Sequence, residues 1–194
     1  MKASYKNLAQ YIQAVVNDEV LNIAVIEIVA YFSCHVFQKN TYFVEVGKVP
    51  EYFCFIESGI LQHSIKINEE EKTTYLALKN TCTTSLKSYL QQTPSRKSIK
   101  ALSECVLWCI NVADFKHLKK TNKAFFQFYF NLIENQIFLI DDYRIDLLTL
   151  SPEERYKKLL NNDPSLLQEV PLHYLASFLG ISNRHMSRIR KNIK

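Results

Sequence analysis

Arginine, asparagine and serine side chains recur near the end of the chain at spacings that would place them on one side of a helix. The stretch SNRHMSRIRKNIK (182–194) opens with Ser182, a residue type favoured at helix N-caps. Asn183, Arg184 and Arg188 then occupy positions i, i+1 and i+5. Arginine can donate to O6 and N7 of guanine, and asparagine can pair with N6 and N7 of adenine. These residues are therefore predicted to read base edges in the major groove of DNA.

Other donors on the same segment suit phosphate contacts, namely Ser187, Arg190, Lys191 and Lys194. The charge distribution agrees with this interpretation. The chain holds 24 basic and 19 acidic residues, and residues 170–194 contain five of the basic ones and no Asp or Glu. Residues 1–169 are therefore formally neutral, and the whole net charge of +5 lies in this terminal segment. Such asymmetry is typical of a polyanion-binding surface.

Two short helices must position these side chains. PLHYLASFLG (171–180) is predicted to be helical and to end at Gly180, which suits a left-handed turn. The small Ala176 would allow close approach of the second helix. The inward-facing apolar positions are Leu175, Leu179, Ile181, Met186 and Ile189. This spacing matches a helix-turn-helix, although a plain helical hairpin, serving as a protein-interaction module with a basic tail, remains an alternative.

Upstream, SPEE (151–154) is typical of a capping box that starts a helix, and RYKKLLNN continues it until Pro164 stops it. Before that, residues from about 112 to 150 contain neither Gly nor Pro. Apolar residues there recur at helical spacing: Phe126, Phe130, Ile133, Ile137, Ile140 and Leu147. A helix of this length favours a dimer seam, and the alternative is one long core helix within a monomer.

The first part of the chain has a different pattern. Residues 5–35 are predicted to be helical, whereas 36–112 contain short runs rich in Val, Ile, Thr, Tyr and Phe separated by turn residues. Gly59 marks a turn or bulge, and NEEEK (68–72) a hairpin tip. These features predict an antiparallel sandwich or roll.

Composition excludes several classes of protein. Hydrophobic residues make up 47% of the 194 residues, which is ordinary for a globular protein, and the three glycines form no phosphate-binding loop. No secretory signal or membrane span is recognisable, so we expect a cytoplasmic protein without a membrane partner. The five cysteines lack metal-site spacing, and Cys105 and Cys109 would share one buried strand face. The residues show no catalytic constellation, so neither an enzyme nor a metal site is expected.

The segment SPEERYKKLLNNDPSLLQEVPLHYLASFLGISNRHMSRIRKNI resembles the C-terminal domain of Crp/Fnr transcription regulators, in the variety common in Bacteroidetes. The matching positions are Arg155, Tyr156, Val170, Pro171, Tyr174, Ala176, Leu179, Gly180, Ser187, Arg188, Ile189 and Arg190. The resemblance implies an α+β protein. Residues 1–148 would form an antiparallel, cyclic nucleotide-binding-like jelly roll with a dimerisation helix at about 115–148. Residues 149–194 would form a small helical, winged helix-turn-helix domain.

The implied function is sequence-specific binding of a near-palindromic duplex by a homodimer, with RNA polymerase as a further partner. Family members that bind cyclic nucleotides carry a G-E-L element and an Arg-Ser/Thr pair. Here Thr84 and Ser85 replace the glycine and glutamate, and Arg96, Lys97 and Ser98 offer a cation beside a hydroxyl in uncertain register. We therefore expect no cyclic nucleotide cofactor. Another small effector remains open, as does the alternative of a module whose main output is ligand sensing.

Overall fold

The computed structural model describes residues 5–162 and 164–192. It begins with helix α1 (Lys6–Val16), a 3-10 turn (Leu21–Ala24) and helix α2 (Val25–Val29). The prediction of one helical segment over 5–35 is wrong at two points. Asn17 adopts a left-handed conformation with φ 50°, and the Asp18 carboxylate accepts from the Val20 amide, which restarts the chain in a new direction. The first strand then begins at Ser33.

Eight strands follow and form two four-stranded antiparallel sheets in the described residues. They are β1 (Ser33–Phe37), β2 (Tyr42–Val44), β3 (Tyr52–Ser58), β4 (Leu61–Ile67), β5 (Glu70–Ala77), β6 (Cys82–Thr83), β7 (Ser98–Ala101) and β8 (Cys105–Asn111). The first sheet has the order β1-β8-β3-β6 and the second sheet the order β2-β7-β4-β5. This arrangement confirms the predicted antiparallel roll.

The turns of the roll also follow the sequence pattern. Asn68 and Glu69, both at positive φ, form the two-residue connection between β4 and β5, at the predicted hairpin tip. Gly59 has φ +91°, and a Cβ atom there would lie 2.5 Å from Cys105 Sγ and from the Glu104 carbonyl. Glycine is thus required at this turn for both its conformation and its lack of a side chain.

Three clusters of buried side chains organise the molecule. One lies between the two sheets and contains Cys105 and Cys109, as predicted. A second covers the outer face of the first sheet with α1, α2 and the helices after β8. The third joins Ile60, Leu76 and Leu102 of the roll to the C-terminal helices. Each sheet is therefore packed on both faces.

The predicted long helix divides at Asn122 into α4 (Val112–Thr121) and α5 (Lys123–Thr149). Asn122 is extended, its side-chain oxygen accepts from the Phe125 amide, and its amide group lies 3.4 Å from the Ala24 carbonyl oxygen. This capping residue starts α5 eight positions later than the expected start near residue 115. A further helix, α3 (Leu86–Gln91), connects β6 to β7 and was not predicted.

The C-terminal part contains α6 (Pro152–Asn162), α7 (Pro164–Glu169), α8 (Leu172–Phe178) and α9 (Asn183–Asn192). The capping box is confirmed, because the Ser151 amide donates to Glu154 at 2.8 Å and the Glu154 amide to the Ser151 hydroxyl at 3.3 Å. Pro164 does not simply stop a helix but starts α7, a position that proline tolerates because it needs no amide donor.

The expected wing is not found, since residues 150–162 and 164–192 contain no strand. A wing requires a hairpin beside the recognition helix, and the described residues of this part are taken up by helices and short turns. None of the helices in the described ranges is long and apolar enough to cross a membrane.

Candidate nucleic-acid interface and roll interior

Helices α8 and α9 meet at a tight turn formed by residues 179–182. Gly180 has φ +70°, the Ile181 amide donates to the Ala176 carbonyl at 3.0 Å, and the Ser182 hydroxyl caps α9 by accepting from the His185 amide. These contacts confirm the predicted end of α8, the glycine turn and the N-cap of α9.

The apolar residues assigned to this pair of helices lie in its core. Leu175, Leu179, Met186 and Ile189 are at most 3% exposed, and Ile181 packs against the same cluster. Ala176 is 1% exposed. Since Met186 and Ile189 hold one face of α9 against α8, the opposite face of α9 is left to solvent.

That solvent face carries the predicted base readers. Asn183, Arg184 and Arg188 are exposed, and none of these side chains has a hydrogen-bond or ion-pair partner in the described part of the chain. Arg190 and Lys191 are exposed as well. The structure therefore brings five predicted contact residues to one open helix surface, on which neither Arg184 nor Arg188 forms an ion pair with a described carboxylate.

Two residues predicted to contact phosphate, Ser187 and Lys194, are not among these exposed side chains. The Ser187 hydroxyl is only partly exposed and donates to the Asn183 carbonyl at 2.9 Å, so its proton is already used within the helix. Lys194 lies outside the described residues. His185, between Arg184 and Arg188, turns toward α6 and lies 3.1 Å from the Glu153 carboxylate. A hydrogen bond from the Glu153 backbone amide and a second from His185 lower the pKa of Glu153.

In the roll, the residues that stand in place of the family's ligand-binding cassette are hydrogen bonded within the protein. Thr84 donates to the Tyr52 carbonyl at 2.8 Å, and Ser85 is hydrogen bonded to Ser95 at 2.9 Å. Ser95 also donates to the Lys97 carbonyl at 2.6 Å. All three hydroxyl-bearing residues are at most 6% exposed. A serine pair thus occupies the place where the family resemblance expects a ribose-binding glutamate.

Arg96, Lys97 and Ser98, which could supply a cation beside a hydroxyl, do not form a common binding site in the structure. Arg96 is exposed to solvent, and the Ser98 hydroxyl accepts from the Val46 amide at 3.1 Å. Lys97 alone turns inward, and burial lowers the pKa of its amino group. No carboxylate is paired with Lys97 among the described residues, whose salt bridges involve other lysines.

Sequence reasoning missed two polar residues of the roll interior, Ser95 and His63. His63 is 2% exposed, its Nε2 lies 2.8 Å from the Thr83 hydroxyl oxygen, and its Nδ1 has no hydrogen-bond partner among the residues that the structure describes. Burial and the positive charge of Lys97 lower its pKa well below 6.5. A signal for His63 was available, because it stands two residues after the buried Leu61 on a strand and so shares its inward face.

Comparisons with known proteins agree with this architecture. Residues 34–122 match the profile of the cyclic nucleotide-binding domain family. The catabolite activator protein of Thermus thermophilus is similar in structure, with a TM-score of 0.57, 17% identity, and coverage of 92% of this chain and 86% of that one. FixK2 of Bradyrhizobium japonicum gives a TM-score of 0.71 at 9% identity, covering 84% of each chain.

The c-di-GMP-responsive global regulator CLP of Xanthomonas campestris gives a TM-score of 0.66 at 15% identity, covering 88% of this chain and 90% of that one. No curated protein matches the sequence significantly. The fold is therefore that of a cyclic nucleotide-binding jelly roll followed by helices, as found in regulators of the catabolite activator and Crp/Fnr type.

The buried imidazole gives a testable pH dependence. Because His63 is neutral in the folded protein, protonation of the unfolded chain below about pH 6.5 favours unfolding. His63 should therefore reduce the free energy of unfolding by up to about 1.4 kcal/mol per pH unit as the pH falls from 6.5 toward its folded pKa. Urea unfolding at pH 7 and 5.5 should show that His63→Gln removes this loss. The exposed His173→Gln serves as control, and equal pH dependence in His63→Gln and the unchanged protein would contradict the assignment.

Proposed function

We propose that the protein is a sequence-specific DNA-binding transcription regulator of Crp/Fnr type, acting as a homodimer on a near-palindromic site. The observation that carries the proposal is the open face of α9, on which Asn183, Arg184 and Arg188 stand exposed and unpaired in the described structure. Their residue types suit adenine and guanine edges. The similarity in fold to bacterial regulators supports the same function.

Phosphate contacts would come from the flanking cations of α9. Arg190 and Lys191 are exposed near its C-terminal end, and Lys194 follows beyond the described residues. Contacts of this kind fix the register of the protein on the duplex but carry no sequence information. Binding would weaken as salt rises, because each phosphate contact releases condensed counterions.

The dimer is supported by α5. Tyr129 and Leu132 still pack against the core on the first sheet, but most apolar residues further along α5 are exposed in the described chain. This exposure favours a dimer seam over one long core helix within a monomer. The exposed apolar residues of α5, each at least 44% exposed, are Phe126, Phe130, Ile137, Phe138, Leu139, Ile140, Ile145, Leu147 and Leu148. Helical pairing with a second copy would remove this surface from water.

The effector is a separate element of the proposal. The Ser85–Ser95 hydrogen bond and the outward Arg96 support a roll that binds no cyclic nucleotide. The unpartnered Nδ1 of His63 and the nearby Lys97 favour, as the alternative function, a module that senses another small molecule. RNA polymerase is proposed as a partner on the family resemblance alone.

Base reading is tested with Arg188 and Lys191 as a matched pair. After selection of a preferred duplex from a random pool, Arg188→Ala should cost about 1–3 kcal/mol on that duplex and little on random DNA, because a guanine contact is lost. Lys191→Ala should weaken binding to the selected duplex and to random DNA by the same factor. It should also reduce the slope of log K against log salt concentration by about one. Fluorescence anisotropy at fixed salt measures both. Equal losses of Arg188→Ala on selected and random duplexes would refute the assignment.

Dimerisation is tested by placing a carboxylate on the exposed apolar face of α5. Ile137→Asp should convert the dimer to a folded monomer, because a charge would have to be buried in the helix pair. Asn135→Asp, which adds the same charge at an exposed polar position of α5, should leave the dimer intact. Sedimentation equilibrium gives the masses. A dimer that persists in Ile137→Asp would place the subunit contact elsewhere.

Cyclic nucleotide binding is tested by titration calorimetry with cAMP and cGMP. No binding is expected at millimolar nucleotide, since Ser85 offers no carboxylate and Arg96 points away from the interior. The unfolding midpoint should likewise be unchanged by either nucleotide. Micromolar binding of either compound would contradict the expectation and favour the sensing module.

A further inference from the structure

One hydrogen bond joins the helix-turn-helix to the roll and has no part in reading DNA. The Thr73 amide, on β5, donates to the Ser177 hydroxyl of α8 at 2.8 Å. The two residues are 104 positions apart in the chain. Strand β5 is the edge of the second sheet, and α8 packs along it.

An irregularity of the strand explains why this amide needs an acceptor outside the sheet. In the pairing of β4 with β5, His63 faces Tyr75 but Ser64 faces Thr73, so Thr74 is an additional residue on β5. Such a bulge interrupts the hydrogen-bond ladder and redirects the neighbouring backbone groups. Thr73 is only 6% exposed, so an unpaired amide there would be costly. Ser177 supplies the acceptor.

Neighbouring side chains hold both partners of this hydrogen bond in place. The Gln62 amide group, 1% exposed, donates to the Thr73 hydroxyl at 2.9 Å and holds that residue from the roll side. On the helix side, Phe178 stacks on Tyr143 with ring centroids 5.5 Å apart, and the Tyr143 hydroxyl donates to the Phe178 carbonyl at 3.0 Å. The α8 helix is therefore held between the roll and α5.

A third contact lies one turn earlier on α8. The Lys100 amino group lies 3.3 Å from Glu71 and 5.6 Å from the centre of the Tyr174 ring. Helix α8 therefore contacts three elements: β7 through Tyr174, β5 through Ser177, and α5 through Phe178. Contacts at three such points fix both the rotation of α8 about its axis and its position along β5.

The position of α8 also determines the position of α9, because the two helices share one apolar core. Because Leu175, Met186 and Ile189 pack together, α9 must follow α8 as a rigid pair. The readers on α9 stay exposed in this arrangement, so the contact does not block DNA. We propose that Ser177 and Thr73 are positioning residues that set the direction of α9 relative to α5, and hence the half-site spacing that the dimer accepts. This inference rests on the proposed function.

The contact itself is tested without DNA by hydrogen exchange on the full chain. Ser177→Ala should speed exchange of the Thr73 amide about three- to tenfold, in line with one hydrogen bond lost. Ser177→Thr keeps the hydroxyl and should restore protection. Ser33→Ala, which removes a hydroxyl from the edge of the first sheet, should leave Thr73 protected. Unchanged exchange in a folded Ser177→Ala protein would overturn the contact.

The positioning role is tested with the selected duplex and with versions whose half-sites are moved apart or together by two base pairs. The unchanged protein should discriminate sharply among these spacings. Ser177→Ala should bind the best-spaced duplex about three- to tenfold more weakly, because α9 is less restrained. For the same reason, the affinities for the three spacings should differ less than they do in the unchanged protein. Ser177→Thr should behave like the unchanged protein.

The outcomes separate the two proposals. If Ser177→Ala loses protection at Thr73 but keeps the spacing preference, the positioning role is wrong while the proposed function stands. Tighter binding by Ser177→Ala would also overturn it, since the contact would then restrain α9 in an unproductive direction. If the unchanged protein selects no duplex, the proposed function fails and the positioning role with it, whereas the exchange result still decides the Ser177–Thr73 contact.

Discussion

The arrangement of the C-terminal helices depends on how the buried polar groups on the outer face of the second sheet find hydrogen-bond partners. That face is not purely apolar, because Gln62, Ser64 and Thr73 are buried on it. Most buried polar groups in proteins are hydrogen bonded, and on this face the Gln62 amide group donates to the Thr73 hydroxyl, whereas Gln62 Oε1 has no partner among the described residues. Ser64 is paired with Glu71 at 2.7 Å within the sheet, whereas the Thr73 amide is paired only across to α8. The Thr73 amide therefore favours a position of α8 in which the Ser177 hydroxyl lies opposite it.

The same stretch of β4 and β5 also connects this outer face with the interior of the roll. The bulge residue Thr74 lies with its hydroxyl 3.3 Å from the His63 carbonyl, and the His63 side chain points into the roll beside Thr83. The hairpin of β4 and β5 therefore contacts the interior of the roll on one side and α8 on the other.

The features that could be predicted from the sequence are those set by neighbours in the chain. The capping box of Ser151 and Glu154, the turn at Gly180 and the N-cap at Ser182 each depend on residues within four positions, and all are present. The interior and exterior faces of α9 followed from helical spacing for the same reason.

The features that were missed depend on distant residues. The Asn122 cap of α5 is local, but the same side chain also contacts the Ala24 carbonyl and the Glu27 carboxylate almost a hundred residues earlier, and the sequence pattern gave no sign of these contacts. Ser85 and Ser95 lie ten positions apart on either side of α3, so their mutual hydrogen bond depends on a helix that the sequence pattern did not predict. Helical periodicity alone cannot reveal such contacts, because it describes which face is apolar and not what lies opposite. The exposed side chains of α5 illustrate the same point, because their helical spacing indicates an apolar face but not what covers it. Ile137, Phe138 and Ile140 are each more than half exposed, and no other described part of the chain covers them. An exposed apolar surface of this kind is typical of an interaction site, and the second copy that we propose would cover it.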